Sequence, residues 1–150
     1  MTLKISDILV PQRTLCDVQA SSKKAALELI ADLISDADPG LTKMEVFNSL
    51  VNRERLGSTG LGRGIALPHG RLKHCGQALG AFMRLATPVD YDAIDGNPVS
   101  LLFALLVPED STQEHLDLLA RLAEKFSDKA VLEQLETETS AEKIYTILTA

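Results

Sequence analysis

The stretch Val99-Ser-Leu-Leu-Phe-Ala-Leu-Leu-Val107 decides the architecture, because Ser100 is its one polar residue. Asp95-Gly96-Asn97-Pro98 precedes it as a turn, and Pro108-Glu-Asp ends it. A run this short cannot cross a bilayer, which needs about 20 apolar residues in a helix. Bounded by turn signals, it predicts a central strand covered on both faces. The flanking sequence should therefore supply two layers of helices.

It contains the patterns for them. Ser111-Thr-Gln-Glu114 has the form of a capping box and opens a helix to about Phe126. Asp128 to Leu135 and Ser140 to Leu148 predict two more helices, the latter introduced by Thr139-Ser-Ala-Glu142. On the N-terminal side, Leu79, Ala81, Met83 and Leu85 alternate with Gly80, Phe82 and Arg84, as in a strand. Thr14 to Val18 predicts a short strand. Ser22 to about Asp36 predicts a helix with Ala26, Leu29, Ile30, Leu33 and Ile34 inward, broken by Asp38-Pro-Gly. Thr42-Lys-Met-Glu45 is another capping box, starting a helix with Phe47, Leu50 and Val51 inward that ends near Arg55. Strands mixed with amphipathic helices give an α/β class, a sheet with helices on its faces. The 150 residues are expected to form one domain, 1–150.

Composition narrows the function. With 45% hydrophobic and 24% charged residues the chain is ordinary for a soluble globular protein, and without Trp its core must rest on Leu, Ile, Val and Ala. No basic-then-apolar leader opens the sequence, so a cytoplasmic protein without membrane insertion is expected. Cys16 and Cys75 lack metal or redox spacing and are expected as free thiols. The formal charge of −6 disfavours nucleic acid, whose phosphates require cationic neutralisation. Yet residues 53–74 carry Arg53, Arg55, Arg63, Arg71 and Lys73 against Glu54 alone, a local +4 in an otherwise acidic chain. Such an island suits an anion, with phosphate the first candidate.

Within that island lies Gly57-Ser-Thr-Gly-Leu-Gly-Arg-Gly-Ile-Ala-Leu-Pro-His-Gly70, with five of the nine glycines. Pro68 stiffens the approach to His69 and pushes Leu67 towards extended backbone. Gly70 then frees the chain to turn away, or lets another surface come close. The pattern predicts an imidazole on a defined pedestal, beside a loop whose N–H groups gather around an anion. A plain Pro-His-Gly turn is the competing reading. His115 heads the stripe Leu118, Leu119, Leu122, Ala123 and Phe126, so it faces inward from the first helical turn, near the carboxyl edge of the preceding strand. It is either a ligand-facing group or an idle histidine at the rim of the core. His74, in a stretch without periodicity, is expected in solvent. Gly60-Leu-Gly-Arg-Gly is not a dinucleotide fingerprint, no Gly-Lys-Ser/Thr forms a nucleotide loop, and the basic neighbours disfavour a metal cation. No cofactor is expected.

Arg53-Glu-Arg-Leu-Gly-Ser-Thr-Gly-Leu-Gly-Arg-Gly-Ile-Ala-Leu-Pro-His69-Gly resembles the active-site segment of the mannitol/fructose-type IIA proteins of the bacterial phosphotransferase system. Asp92-Ala-Ile-Asp-Gly-Asn-Pro-Val-Ser-Leu-Leu-Phe-Ala-Leu-Leu-Val-Pro, followed by Glu114-His115-Leu, resembles their second signature. The resemblance runs from Ile5 through the last helix and is strongest to the free-standing nitrogen-regulatory branch. It implies a mixed sheet between helices. It also implies that His69 accepts a phosphoryl group, on Nε2, from a histidine of an HPr-like carrier charged by an Enzyme I. His115 would stand beside it and Arg53 would reach the phosphoryl oxygens. Regulatory target proteins would read the phosphorylation state. Two alternatives stand: a sugar-specific component passing the group to a IIB cysteine, or a docking module without phosphoryl chemistry.

The residue types suit that chemistry. A neutral imidazole is a competent nucleophile near neutral pH, and the bond it forms to phosphorus stays reactive. Phosphoryl transfer then asks mainly for in-line positioning and charge stabilisation on the oxygens, which Arg53, the helix N-terminus before His115 and loop N–H groups can supply. His115 either donates to the phosphate or holds the reacting ring. Ser58, Thr59 and Gly60 are the candidates to bind the phosphate from the loop, or else complete a turn. Leu61, Ile65 and Leu67 are the candidates for a carrier contact patch, with core packing as the alternative.

Overall fold

In the computed structural model, which describes residues 3–111 and 113–150, the chain opens with α1 (Ile5–Ile8), a 3-10 turn at Pro11–Arg13 and β1 (Thr14–Val18). Two helices follow, α2 (Lys23–Ala37) and α3 (Lys43–Glu54). Then come five strands, β2 (Gly60–Gly62), β3 (Ile65–Ala66), β4 (His69–Leu72), β5 (Leu79–Val89) and β6 (Val99–Pro108). Helices α4 (Gln113–Phe126), α5 (Lys129–Thr137) and α6 (Ala141–Thr149) close the chain. Ser22, Thr42, Asp128 and Ser140 cap their helices by accepting backbone N–H bonds, and Thr42 also engages the Glu45 carboxylate. The capping box expected at Ser111–Glu114 lies outside the described residues.

The strands form one mixed sheet in the order β1-β5-β6-β3-β2, with β4 also on β6. Strand β6 lies at its centre. Along one edge it pairs antiparallel with β5; along the other it pairs parallel with β3 and then, further on, with β4. Its side chains divide cleanly between two cores. Leu102, Ala104 and Leu106 pack with Ile30, Ile34, Val46 and Leu50 of α2 and α3. Leu101, Phe103, Leu105 and Val107 pack with Leu118, Leu122, Leu135, Ile144 and Leu148 of α4, α5 and α6. The apolar run at 99–107 is therefore a strand buried on both faces, as its composition requires.

Strand β5 forms where the alternation predicts it, and both of its faces are buried from Leu79 to Leu85. Two residues make this possible. A Cβ on Gly80 would lie 3.2 Å from Ile8 and Phe103, so the missing side chain admits α1 and the second core. Arg84 is buried because its guanidinium donates to the carbonyls of Leu135, Glu136 and Glu138, satisfying the C-terminal end of α5. The inward face of α2 is also rotated: Leu27 and Ala31 are buried, while Leu29 and Leu33 are half-buried.

The glycine-rich stretch is a hairpin, β2–β3, followed at once by β4, where a loop is the sequence expectation. Gly70 serves close approach. A Cβ there would stand 2.2 Å from Ser49 Oγ, and that hydroxyl donates to the Arg71 carbonyl at 3.0 Å. Helix α3 thereby lies directly on β4. Gly70→Ala should lower stability by about 1–3 kcal/mol, the usual cost of overpacking. Urea unfolding should show part of that loss recovered in a Ser49→Ala background, and an equal loss in both backgrounds would contradict the contact.

Candidate phosphoryl-transfer site

Strand β3 ends at Ala66 and β4 begins at His69, leaving Leu67 and Pro68 as a kink between two segments paired to the same strand. Pro68 has no N–H to lose there, and its carbonyl accepts from Leu105 N at 3.0 Å. The Leu67 N–H donates to the Thr59 carbonyl. The Leu67 carbonyl turns to the His69 ring, 2.7 Å from Nδ1. A carbonyl only accepts, so Nδ1 carries the proton. On the other side of the ring, Arg53 Nε–H donates to Nε2 at 3.3 Å. An arginine only donates, so Nε2 is bare. Together these bonds define a neutral imidazole with its lone pair on Nε2. Burial, and secondarily the Arg53 charge, hold its pKa below the ordinary histidine value, although the Leu67 bond pulls the other way.

Arg53 comes from the last turn of α3, and its Nη1 also donates to the Gly57 carbonyl at 3.0 Å. His115 comes from the first turn of α4 and is 6% exposed. Its ring packs edge-on to His69, with centroids 5.5 Å apart. Its Nδ1 has no hydrogen-bond partner among the described residues. Burial, then the neighbouring His69 and Arg71, push its pKa down to about 4. The site thus joins two neutral imidazoles and a guanidinium, supplied by α3, β4 and α4. The stripe that predicts an inward His115 holds for Leu118, Leu122 and Phe126, whereas Ala123 is exposed.

The other predicted site residues lie differently. Ser58 Oγ donates to the Tyr91 carbonyl and accepts from Gly60 N. Thr59 gives both its N–H and its hydroxyl to Glu54. The hydroxyls of Ser58 and Thr59 and the N–H groups of Thr59 and Gly60 are therefore engaged inside the fold, and none of the three residues hydrogen-bonds His69. The basic island also divides: Arg63 N–H donates to Asp95 and its side chain to the Ser127 carbonyl. Ile65 and Leu67 are core, whereas Leu61 is 43% exposed. Leu56, next in chain to the end of α3, and Leu116, beside His115, are exposed apolar residues that the sequence reading passed over. It also passed over Glu54, although that carboxylate falls on the stripe of Phe47, Leu50 and Val51, where a charge is out of place. His74 is exposed, as expected, and both cysteines are free.

The model for the phosphoenolpyruvate-dependent sugar phosphotransferase system, EIIA 2, matches residues 7–150. The chain belongs to this family. It is 45% identical over 146 residues to a nitrogen regulatory protein of Pseudomonas aeruginosa, covering 97% of this chain and 95% of that one. Against a nitrogen regulatory protein of Escherichia coli K12 the identity is 44%, covering 99% and 91%. The crystal structure of nitrogen regulatory protein IIA-Ntr from Neisseria meningitidis superimposes with a TM-score of 0.92 at 48% identity, covering 97% of this chain and 99% of that chain. The mannitol IIA crystal structure from Escherichia coli, 20% identical over 94% of this chain and 99% of its own, shares the fold at a TM-score of 0.78. The family and the mixed α/β fold implied by the sequence resemblance are thus confirmed. Among the described residues, no helix of this IIA chain is long and apolar enough to cross a membrane.

The suppressed pKa of His115 has a consequence for stability. An unfolded histidine binds a proton near pH 6.5, whereas folded His115 does so only near pH 4. Between those values the unfolded state holds more protons, so stability falls as pH falls. Urea midpoints measured from about pH 7 to 4.5 should decline, and the decline should be shallower in His115→Gln. An identical slope in that variant would contradict a neutral, buried His115.

Proposed function

We propose that this IIA protein is a phosphoryl carrier whose acceptor atom is His69 Nε2, charged by the phosphohistidine of an HPr-like protein. The observation that carries the reading is the pair of bonds that leave Nε2 bare and aim it at Arg53. In the transfer, the Nε2 lone pair forms a bond to phosphorus while the donor's N–P bond breaks. That bonding pair returns to the donor nitrogen as the PO₃ unit moves. No proton must leave His69, because Nδ1 keeps its own against the Leu67 carbonyl, which steadies the cationic phosphoimidazole. Arg53, already at Nε2, neutralises charge on the phosphoryl oxygens as they arrive. Neutral His115 completes the wall as a donor to the phosphate or a support for the ring. The exposed Leu56 and Leu116, close in the chain to Arg53 and His115, are the candidates for the surface on which a carrier would dock and exclude water.

Similarity to nitrogen regulatory proteins supports a signalling output, in which target proteins distinguish the bare and phosphorylated forms. This reading needs no sugar acceptor.

Phosphoenolpyruvate, Enzyme I and the HPr-like carrier should add one acid-labile phosphoryl group by mass spectrometry. The group should be present in wild type and absent in His69→Ala; unmodified wild type beside an active donor would leave a docking module. Arg53→Lys should slow transfer by about tenfold to a hundredfold, since a point charge cannot replace the planar fork. As burial lowers the His69 pKa, the rate should persist to lower pH than an unperturbed histidine would allow. A decline centred at or above about 6.5 would show a solvated ring instead.

A further inference from the structure

Glu54 is a carboxylate in a costly place. It ends α3, where the helix dipole disfavours negative charge, and it is only 9% exposed. Burying a charge is tolerated only with full compensation. Here the compensation is complete and local. Oε1 accepts from Thr59 N at 3.1 Å and faces Lys23 Nζ of α2 at 3.0 Å, while Oε2 accepts the Thr59 hydroxyl. Lys23 in turn lies 4.4 Å above the Tyr91 ring.

These bonds clamp the turn between residues 54 and 59. Inside that turn, Gly57 N donates to the Glu54 carbonyl at 3.1 Å, and the Ser58 hydroxyl donates to the Tyr91 carbonyl at 2.9 Å. Gly57 sits at φ +146°, a conformation that side-chain-bearing residues rarely adopt. Its carbonyl is therefore held from both sides, and it is this carbonyl that receives Arg53 Nη1. With Nη1 held there, the guanidinium presents its Nε–H to His69 Nε2 at 3.3 Å.

We propose that Glu54 is a positioning residue for phosphoryl transfer, aiming Arg53 at His69 through the clamped Gly57 carbonyl; the proposal rests on the carrier reading above. Glu54 touches neither the reacting nitrogen nor the phosphate. Its contribution is to keep the arginine fork from swinging out into solvent, where its exposed neighbours Asn52 and Arg55 already lie.

Glu54→Gln tests this in the full-length protein. The amide cannot pair with Lys23 and still accept both Thr59 bonds, so the clamp loosens while volume is kept. Turnover with the phosphorylated carrier should fall by about tenfold or more, the scale expected when a catalytic group is misplaced. The loss should fall on kcat far more than on KM for the carrier, because Glu54 is itself buried and, of the proposed docking residues, only Leu56 lies in the loosened turn. In the bare protein, the Arg53 Nε–H resonance should lose its protection from exchange and its coupling to His69 Nε2. Thr59→Val, which removes the hydroxyl donor to Glu54 and its contact with the Tyr91 hydroxyl but keeps the Thr59 N–H bond, should move both readouts in the same direction by less, and it decides the matter if Glu54→Gln does not fold. Wild-type turnover with an undisturbed Arg53 signal in a folded variant would overturn the proposal, as would a loss confined to KM. The resonance arm requires no phosphoryl donor, so a failure of the carrier reading would appear separately, as unphosphorylated wild type.

Discussion

The bond from His69 Nδ1–H to the Leu67 carbonyl, 2.7 Å long, is the constraint on which the site depends. It fixes the tautomer, and the tautomer fixes which nitrogen is available for chemistry. The bond exists because β3 and β4 share one edge of β6 but are not continuous. A two-residue kink at Leu67–Pro68 takes the Leu67 carbonyl towards a side chain. Proline suits the second kink position because no N–H is lost, and its carbonyl still bonds Leu105. Burial of β6 on both faces makes the edge rigid enough to serve as a pedestal.

Charge and burial act together around that pedestal. A local excess of arginine attracts an anion, and at the same time it disfavours a protonated imidazole. Burial is the main reason for the lowered pKa at both His69 and His115, with neighbouring positive charge adding to it. The site is thus cationic through Arg53 and Arg71 while both rings stay neutral, which is the combination a nitrogen nucleophile for phosphorus requires. Arg53 contributes in two ways, since it bonds the bare nitrogen and is itself bonded to the Gly57 turn.

The long elements were legible because each has a period or a boundary. The apolar run at 99–107 and the Ser22, Thr42 and Ser140 caps announce themselves in the residues. Strands β2, β3 and β4 did not, because pieces of two to four residues carry no periodicity and their glycines resemble a loop. The covered second face of β5 was hidden by Gly80 and Arg84, which look solvent-facing until α1 and α5 are placed against them. In the site, the Pro-His-Gly sequence and the inward stripe pointed to His69 and His115, whereas Arg53 was singled out from the basic island only by the family resemblance. The Leu67 carbonyl has no side-chain signature and could not be read. Glu54 could have been, as a charge on an apolar stripe. Ser58 and Thr59 looked like phosphate ligands from their loop context, yet their hydroxyls serve Tyr91 and Glu54.

The state of the His69 ring in the bare protein tests this account most directly. Long-range proton–nitrogen correlation spectra of histidine-labelled protein at neutral pH report which ring nitrogen carries hydrogen. The account requires a single neutral form, with the proton on Nδ1 and an unprotonated Nε2. A ring protonated on Nε2, on both nitrogens, or exchanging between tautomers would contradict it.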